Sequence, residues 1–79
     1  MNINFNFRGS QHTANVVKYL NNDIEVVVKD DYLGKEFGSS FHYYLNNDKL
    51  DFVPLNPAHS ELYKLQSEIK NAIQQFSKY

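Results

Sequence analysis

Apolar and polar residues alternate in several short stretches within the first fifty-odd positions of the chain. A period of two residues is typical of β-strands that bury one face and leave the other in water. We therefore predict strands over these stretches, with their apolar side chains on a shared inner face. The alternating apolar positions are Ile3, Phe5 and Phe7, then Ile24, Val26 and Val28, then Phe41, Tyr43 and Leu45, and finally Leu50 and Phe52.

The pentapeptide Tyr-Leu-Asn-Asn-Asp occurs twice, at residues 19–23 and 44–48, and each copy joins two of these runs. Asn and Asp tolerate left-handed backbone conformations, so both copies predict tight hairpin turns. A turn at residues 47–48 sets Leu45 opposite Leu50 and Tyr43 opposite Phe52. A third turn is expected at Gly9-Ser10, which pairs Phe7 with His12.

Residues 11–20 fit two interpretations. As a strand they complete a hairpin on each side, although the first hairpin then buries Val16 while the second favours Val17 and Tyr19, so that a β-bulge at Val16-Val17 is expected. As a helix they place Ala14, Val17 and Leu20 on one face. Weak helix formers fill the segment, which favours the strand.

Two helices are predicted. Asp30 or Asp31 is a suitable N-cap for a helical turn from Tyr32 to Phe37, with Gly38 as the stop. Near the C-terminus, Asn56 is expected to cap a longer helix that has Pro57 in its first position.

The C-terminal helix is strongly amphipathic. Its apolar residues recur at steps of three and four, which predicts one buried stripe and one solvated face. The stripe comprises Leu62, Leu65, Ile69, Ala72, Ile73 and Phe76. The predicted solvated face comprises Glu61, Lys64, Gln66, Glu68, Lys70, Asn71, Gln74 and Lys78.

These elements predict a single small domain over residues 1–79 of the α+β class. We expect an antiparallel β-meander of about five strands, with the C-terminal amphipathic helix packed on one face. The alternative, with residues 11–20 helical, has the order β-α-β-β-β-α.

The amino-acid composition narrows the expected cellular location of the protein. Cysteine is absent, so no disulfide framework, thiolate metal site or thiol nucleophile is available. Small secreted domains usually rely on disulfides, which favours a reducing, cytoplasmic location. No signal peptide and no apolar run near the ~20 residues of a membrane helix are recognisable, so we expect no membrane association.

Residues that could carry chemistry are present but form no catalytic pattern. His12, His42 and His59 match no zinc-binding spacing, and Gly34-Lys35 lacks the remaining residues of a phosphate-binding loop. The carboxylates are accounted for by turns, a helix cap and the solvated helix face. We therefore expect no enzyme, no catalytic or metal-binding residues and no cofactor.

Nucleic-acid binding is the alternative function. Six Phe and six Tyr could stack on the bases of a single strand, as sheet aromatics do in single-strand-binding proteins. That mode also needs a cationic groove, whereas the formal net charge is −1. Nucleic acid is therefore an unfavoured partner.

The sheet face away from the helix is the remaining candidate site. Alternation turns Val27, His42, Tyr44 and Val53 toward it, and apolar and amphipathic side chains of this kind suit a protein interface. We expect a small interaction module that docks an unidentified protein partner, or a second copy, through the open sheet face or an edge strand. Tyr44→Ala and Val27→Ser are expected to weaken that association without unfolding the domain.

Overall fold

The computed structural model describes the backbone of residues 1–77 and the side chains of residues 1–75. It has the predicted α+β architecture, with five antiparallel strands in one curled sheet and a C-terminal helix. The strands are β1 (Asn2–Phe7), β2 (Ser10–Lys18), β3 (Asp23–Val28), β4 (Ser40–Asn46) and β5 (Lys49–Asp51), and the helices are α1 (Asp31–Phe37) and α2 (Ser60–Ser77). Phe76 and Lys78, assigned above to the two faces of α2, lie outside the described side chains.

The strands follow one another across the sheet in chain order, β1-β2-β3-β4-β5. Residues 11–20 are therefore not helical, because all but the last two belong to β2, which pairs with a neighbour on each side. The expected β-bulge at Val16-Val17 is also wrong. The register runs unbroken from Ala14 opposite Val28 to Lys18 opposite Ile24, so that Val16 points inward and Val17 outward.

The first hairpin turns one residue earlier than predicted. Arg8 (φ 52°) and Gly9 (φ 76°) form the two-residue turn, and both adopt left-handed backbone conformations, as in a type I′ turn. Phe7 therefore faces Ser10, and Phe5 rather than Phe7 faces His12. Because the register changes by two residues, every side chain keeps its predicted face.

The two copies of Tyr-Leu-Asn-Asn-Asp adopt different turns. In the second copy Asn47 (φ 52°) and Asp48 (φ 65°) form a two-residue turn that sets Leu45 opposite Leu50, as predicted. In the first copy only Asn22 is left-handed (φ 68°), and the Tyr19 amide donates to the Asp23 carbonyl at 2.8 Å around a three-residue loop. The pentapeptide is thus a turn signal without a fixed turn type.

Both helices bury an apolar side against the inner face of the sheet. Asp30 caps α1 by accepting hydrogen bonds from the Tyr32 and Leu33 amides, and Gly38 follows at φ 94°. The core combines the inner side chains of the strands with Leu33 of α1 and Leu62, Leu65, Ile69 and Ile73 of α2. No helix in the described part of the chain is long and apolar enough to cross a membrane.

Helix α2 begins later than predicted. Asn56 does not cap it but organises a preceding turn, in which its side chain accepts from the Ala58 amide and its carbonyl from the His59 amide. His59 takes over the capping role, since its Nδ1 accepts from the Leu62 amide at 3.3 Å. An imidazole nitrogen accepts a hydrogen bond only when it carries no proton, so this cap uses a ring unprotonated at Nδ1.

Candidate partner-binding surface

The structure brings three of the four predicted site residues together. His42, Tyr44 and Val53 line a single groove of about 560 Å³ beside β4, whereas Val27 lies elsewhere on the outer sheet face, between Asn15 and Ser40. We refer to this cavity as the β4 groove. Its complete lining is Asp23, His42, Tyr43, Tyr44, Val53, Pro54, Leu55 and Gln66.

The β4 groove exists because β5 is short. The strand ends at Asp51, and Pro54 cannot donate a hydrogen bond to a ladder. The chain then leaves the sheet over residues 53–55 and places Val53 and Leu55 in solvent, 69% and 60% exposed. The groove therefore lies where a longer β5 would have continued, and its far wall is apolar.

Gln66 holds that wall in place. Its side chain accepts from the Leu55 amide at 3.3 Å, and its amide nitrogen lies 3.4 Å from the Val53 carbonyl as donor. The prediction that Gln66 belongs to the solvated face of α2 is wrong, because the residue is only 1% exposed. A buried amide needs partners for both its donor and its acceptor, and the departing main chain supplies them.

Tyr43 closes the floor of the β4 groove. Its hydroxyl donates to the Gln66 carbonyl at 2.7 Å, and its ring packs edge-on against Phe52 with 5.5 Å between centroids. Burial raises the pKa of this hydroxyl above its ordinary value. The phenol is therefore a neutral hydrogen-bond donor and a structural part of the floor.

The edge of β4 along the groove carries backbone groups without strand partners. Val28 donates to the Ser39 carbonyl and Leu45 to the Asn22 carbonyl, so the odd-numbered residues of β4 bond to β3. In an antiparallel ladder the intervening residues then face the opposite edge. Tyr44 pairs there with β5, but Ser40 and His42 have no backbone hydrogen bond on that side among the described residues.

Three carboxylates lie near the groove on the outer sheet face. Asp23 and Asp51 lie directly opposite Tyr44 on its two sides, and Glu25 lies opposite His42. Residues directly opposite in a ladder have Cβ atoms roughly 4.5–5.5 Å apart, so the three acidic groups are close neighbours of the groove. Within the described residues no lysine or arginine forms an ion pair with any of them.

Glu25 accepts more hydrogen bonds than either of the other two carboxylates. It accepts hydrogen bonds from the Tyr19 hydroxyl at 2.9 Å and from the Ser40 hydroxyl at 3.0 Å, and His42 Nε2 lies 4.0 Å away. The bond from Tyr19 is the main cause that lowers the pKa of Glu25, and the same contact raises the pKa of Tyr19. Glu25 is thus held as an anion at neutral pH.

A second polar cluster ties the first hairpin to both helices. Arg8 donates two hydrogen bonds to Glu36, at 2.7 and 2.8 Å, and a third to Glu61 at 3.3 Å. Its guanidinium also lies 5.2 Å from the ring centre of Phe7 and 5.1 Å from that of Phe37. Because the charged groups of this cluster are hydrogen-bond partners of one another, a role in stabilising the fold explains all of them.

The three histidines occupy different environments. His12 lies between the Asp30 carboxylate and the Phe7 carbonyl, His42 is on the outer face, and His59 packs on Phe37 at the start of α2. The described residues contain no group of three His, Cys, Asp or Glu side chains able to hold a metal ion. Both ring nitrogens of His12 have partners, since Nδ1 lies against the Asp30 carboxylate and Nε2 is 3.3 Å from the Phe7 carbonyl.

The sequence-based prediction of the site omits five residues of the groove, which are Asp23, Tyr43, Pro54, Leu55 and Gln66. Asp23 is predicted only as part of a turn, and Gln66 on the solvated face of α2. Pro54 between Val53 and Leu55 was a usable signal in the sequence, since a proline marks where the chain leaves the sheet. Comparisons with protein-family models, characterised proteins and solved structures found no match to this chain.

Proposed function

We propose that the protein is a small non-enzymatic interaction module that binds a protein partner on the outer side of β4. The observation that carries this proposal is the β4 groove, which gathers His42, Tyr44 and Val53 beside an open strand edge. We further propose that it acts in a reducing compartment, the cytoplasm, because the sequence has no cysteine.

The chemistry of the groove supports a protein as the partner. Val53 and Leu55 are large aliphatic residues left in solvent at adjacent positions of one wall. Tyr44 is half-buried beside them, with Asp23 and Asp51 on its flanks. An apolar and aromatic centre within a polar rim is the common composition of protein interfaces. The same carboxylates would repel a phosphate backbone, which disfavours nucleic acid.

Site-specific crosslinking in the native host tests this function. A photo-reactive amino acid placed at Val53 should yield a defined crosslinked product, and the same group at Thr13, on the outer face near the other edge, should not. Tyr44→Ala should abolish the Val53 product while the purified variant keeps its thermal unfolding midpoint. Equal products at both positions, or none that depends on Tyr44, would refute the proposal.

Self-association is the competing form of the same function. Sedimentation equilibrium of the purified protein at rising concentration distinguishes the two forms. A monomer that crosslinks only in the cell supports a separate partner. A dimer that Val53→Ser or Tyr44→Ala dissociates assigns the groove to a second copy.

A further inference from the structure

We infer that the occupant of the β4 groove is a short extended segment of a partner, rich in alternating basic and aliphatic residues, that pairs with β4 as an added strand. This inference rests on the proposed function and specifies its partner chemistry. It joins three features of the groove: an unpaired strand edge, an apolar wall and a surplus of carboxylates.

The unpaired edge selects an extended main chain. Ser40 and His42 each direct an N–H and a C=O group toward the open edge of β4, and no backbone group of the described residues forms a hydrogen bond with them there. An incoming strand satisfies such groups through ladder hydrogen bonds, which is the basis of peptide recognition by strand addition. A helix or a flat apolar surface would leave them unpaired.

The two walls select the side chains. Successive side chains of a strand point to opposite faces, so an alternating segment presents one kind of residue to each side. The outer side offers Asp23, Glu25 and Asp51, none of them paired with lysine or arginine among the described residues. The groove itself is lined by the apolar side chains of Pro54 and Leu55. Lysine or arginine side chains suit the carboxylates, and valine, isoleucine or leucine side chains suit the apolar residues.

A defined peptide tests this inference on the intact protein. The probe is an acetylated, amidated octapeptide of alternating lysine and valine, titrated at low salt against isotope-labelled protein. We expect the amide signals of Ser40 and His42 to shift and the hydrogen exchange of the His42 amide to slow several-fold. The double variant Asp23→Asn, Asp51→Asn should weaken binding by roughly three- to tenfold, as two partly exposed charge pairs would. Thr13→Ser, on the outer face of β2 and outside the groove, should leave the affinity unchanged.

Two control peptides test the charge attraction and the backbone hydrogen bonds separately. An octapeptide of alternating glutamate and valine should not bind, because it meets like charges. A lysine–valine peptide N-methylated at every residue keeps the charges but cannot donate ladder hydrogen bonds, so it should also fail. Binding of either control with the affinity of the parent overturns the inference.

Other occupants would appear in the same experiment. Shifts of the Ser40 and His42 amides on dilution of the protein alone would assign the edge to a second copy, and equal shifts with a single-stranded oligonucleotide would assign it to nucleic acid. Either result overturns the inference. If the peptide fails while the Val53 crosslink still depends on Tyr44, the inference falls and the proposed function stands. If both fail, neither stands.

Discussion

The Tyr43 hydroxyl donates a hydrogen bond of 2.7 Å to the Gln66 carbonyl and so ties β4 to the middle of α2 inside the core. Tyr43→Phe removes this bond and little else. We expect the free energy of unfolding to fall by about 1 kcal/mol, the usual net value of one buried hydrogen bond. Urea denaturation measures this loss. Tyr63→Phe, at a half-exposed ring on α2, is the control and should change stability by less than about 0.5 kcal/mol.

Gln66→Leu should loosen the apolar wall of the β4 groove. The substitution keeps the approximate volume but removes the acceptor for the Leu55 amide and the donor near the Val53 carbonyl. We expect a loss of about 1–3 kcal/mol, because two main-chain groups lose their partners. Hydrogen exchange of the Leu55 amide should accelerate more than that of core amides in β3. Unchanged exchange at Leu55 would show that Gln66 does not hold this segment.

Arg8→Lys should lower the thermal unfolding midpoint by a few degrees. A shift of this size is typical when the free energy of unfolding of a small domain falls modestly. Lysine keeps the charge but loses the two-pronged hydrogen bonding to Glu36 and the stacking between Phe7 and Phe37. The bond to Glu36 raises the pKa of Arg8 and lowers that of Glu36. A double-mutant cycle with Glu36→Gln should give a favourable coupling that weakens with added salt. Lys35→Arg, in α1 next to Glu36, is the matched control, and we expect it to leave the unfolding midpoint unchanged.

Stability should fall in acid through Asp30. A hydrogen bond with His12, followed by those from the Leu33 and Tyr32 amides, lowers the pKa of this carboxyl below 3.8. Because its pKa is lower in the folded state, its contribution is complete above its ordinary pKa of 3.8 and disappears as the pH falls through the lower, folded value.

Asp30→Asn isolates this contribution. The amide oxygen can still cap α1, since Asn is as good an N-cap as Asp, but the charge is lost. The variant should be less stable than the wild type at pH 7, and the difference should shrink as the pH falls below about 3.8. Urea denaturation at several pH values measures both curves. A constant difference at all pH values would show that the carboxylate charge is not responsible.

The two pentapeptides should respond oppositely to the same substitution. Asp48 adopts a left-handed conformation (φ 65°), which glycine tolerates without strain, so Asp48→Gly should stabilise the protein by about 0.5–1 kcal/mol. Asp23 begins a strand, where glycine is unfavourable, so Asp23→Gly should destabilise it by a similar amount. Thermal unfolding of both variants provides the comparison. Effects of the same sign would contradict the assignment of two turn types.

Much of the fold follows from local pattern. Alternation identified the inner faces of the strands, and Asp30 and Gly38 marked both ends of α1. The turn at Arg8-Gly9 was placed one residue late because both alternatives contain Gly9, and only the pairing with β2 decides between them. The supposed bulge failed for a related reason: Lys18, not Val17, lies on the inner side opposite Ile24, where the sheet end is exposed enough to accept a lysine stem.

The candidate site was less accessible to sequence reasoning. His42 and Tyr44 could be placed on the outer face because alternation in β4 is regular. Gln66 could not be found, since its polarity predicts solvent while its burial depends on main-chain groups of residues 53–55, ten or more positions away. Leu55 could not be identified for the same reason, because only the path of the chain after Pro54 determines whether its side chain is buried or exposed.

The departure of the chain at Pro54 also limits what the open edge of β4 can assemble. A free strand edge ordinarily invites growth, because each added strand offers a new edge to the next. Here the segment at residues 53–55 bounds the groove on the side opposite β4. A strand seated between them would find its outer edge already walled off, so association would end at one strand rather than continue into a fibril. Under the proposed function, the short β5 would therefore limit this edge to one bound strand.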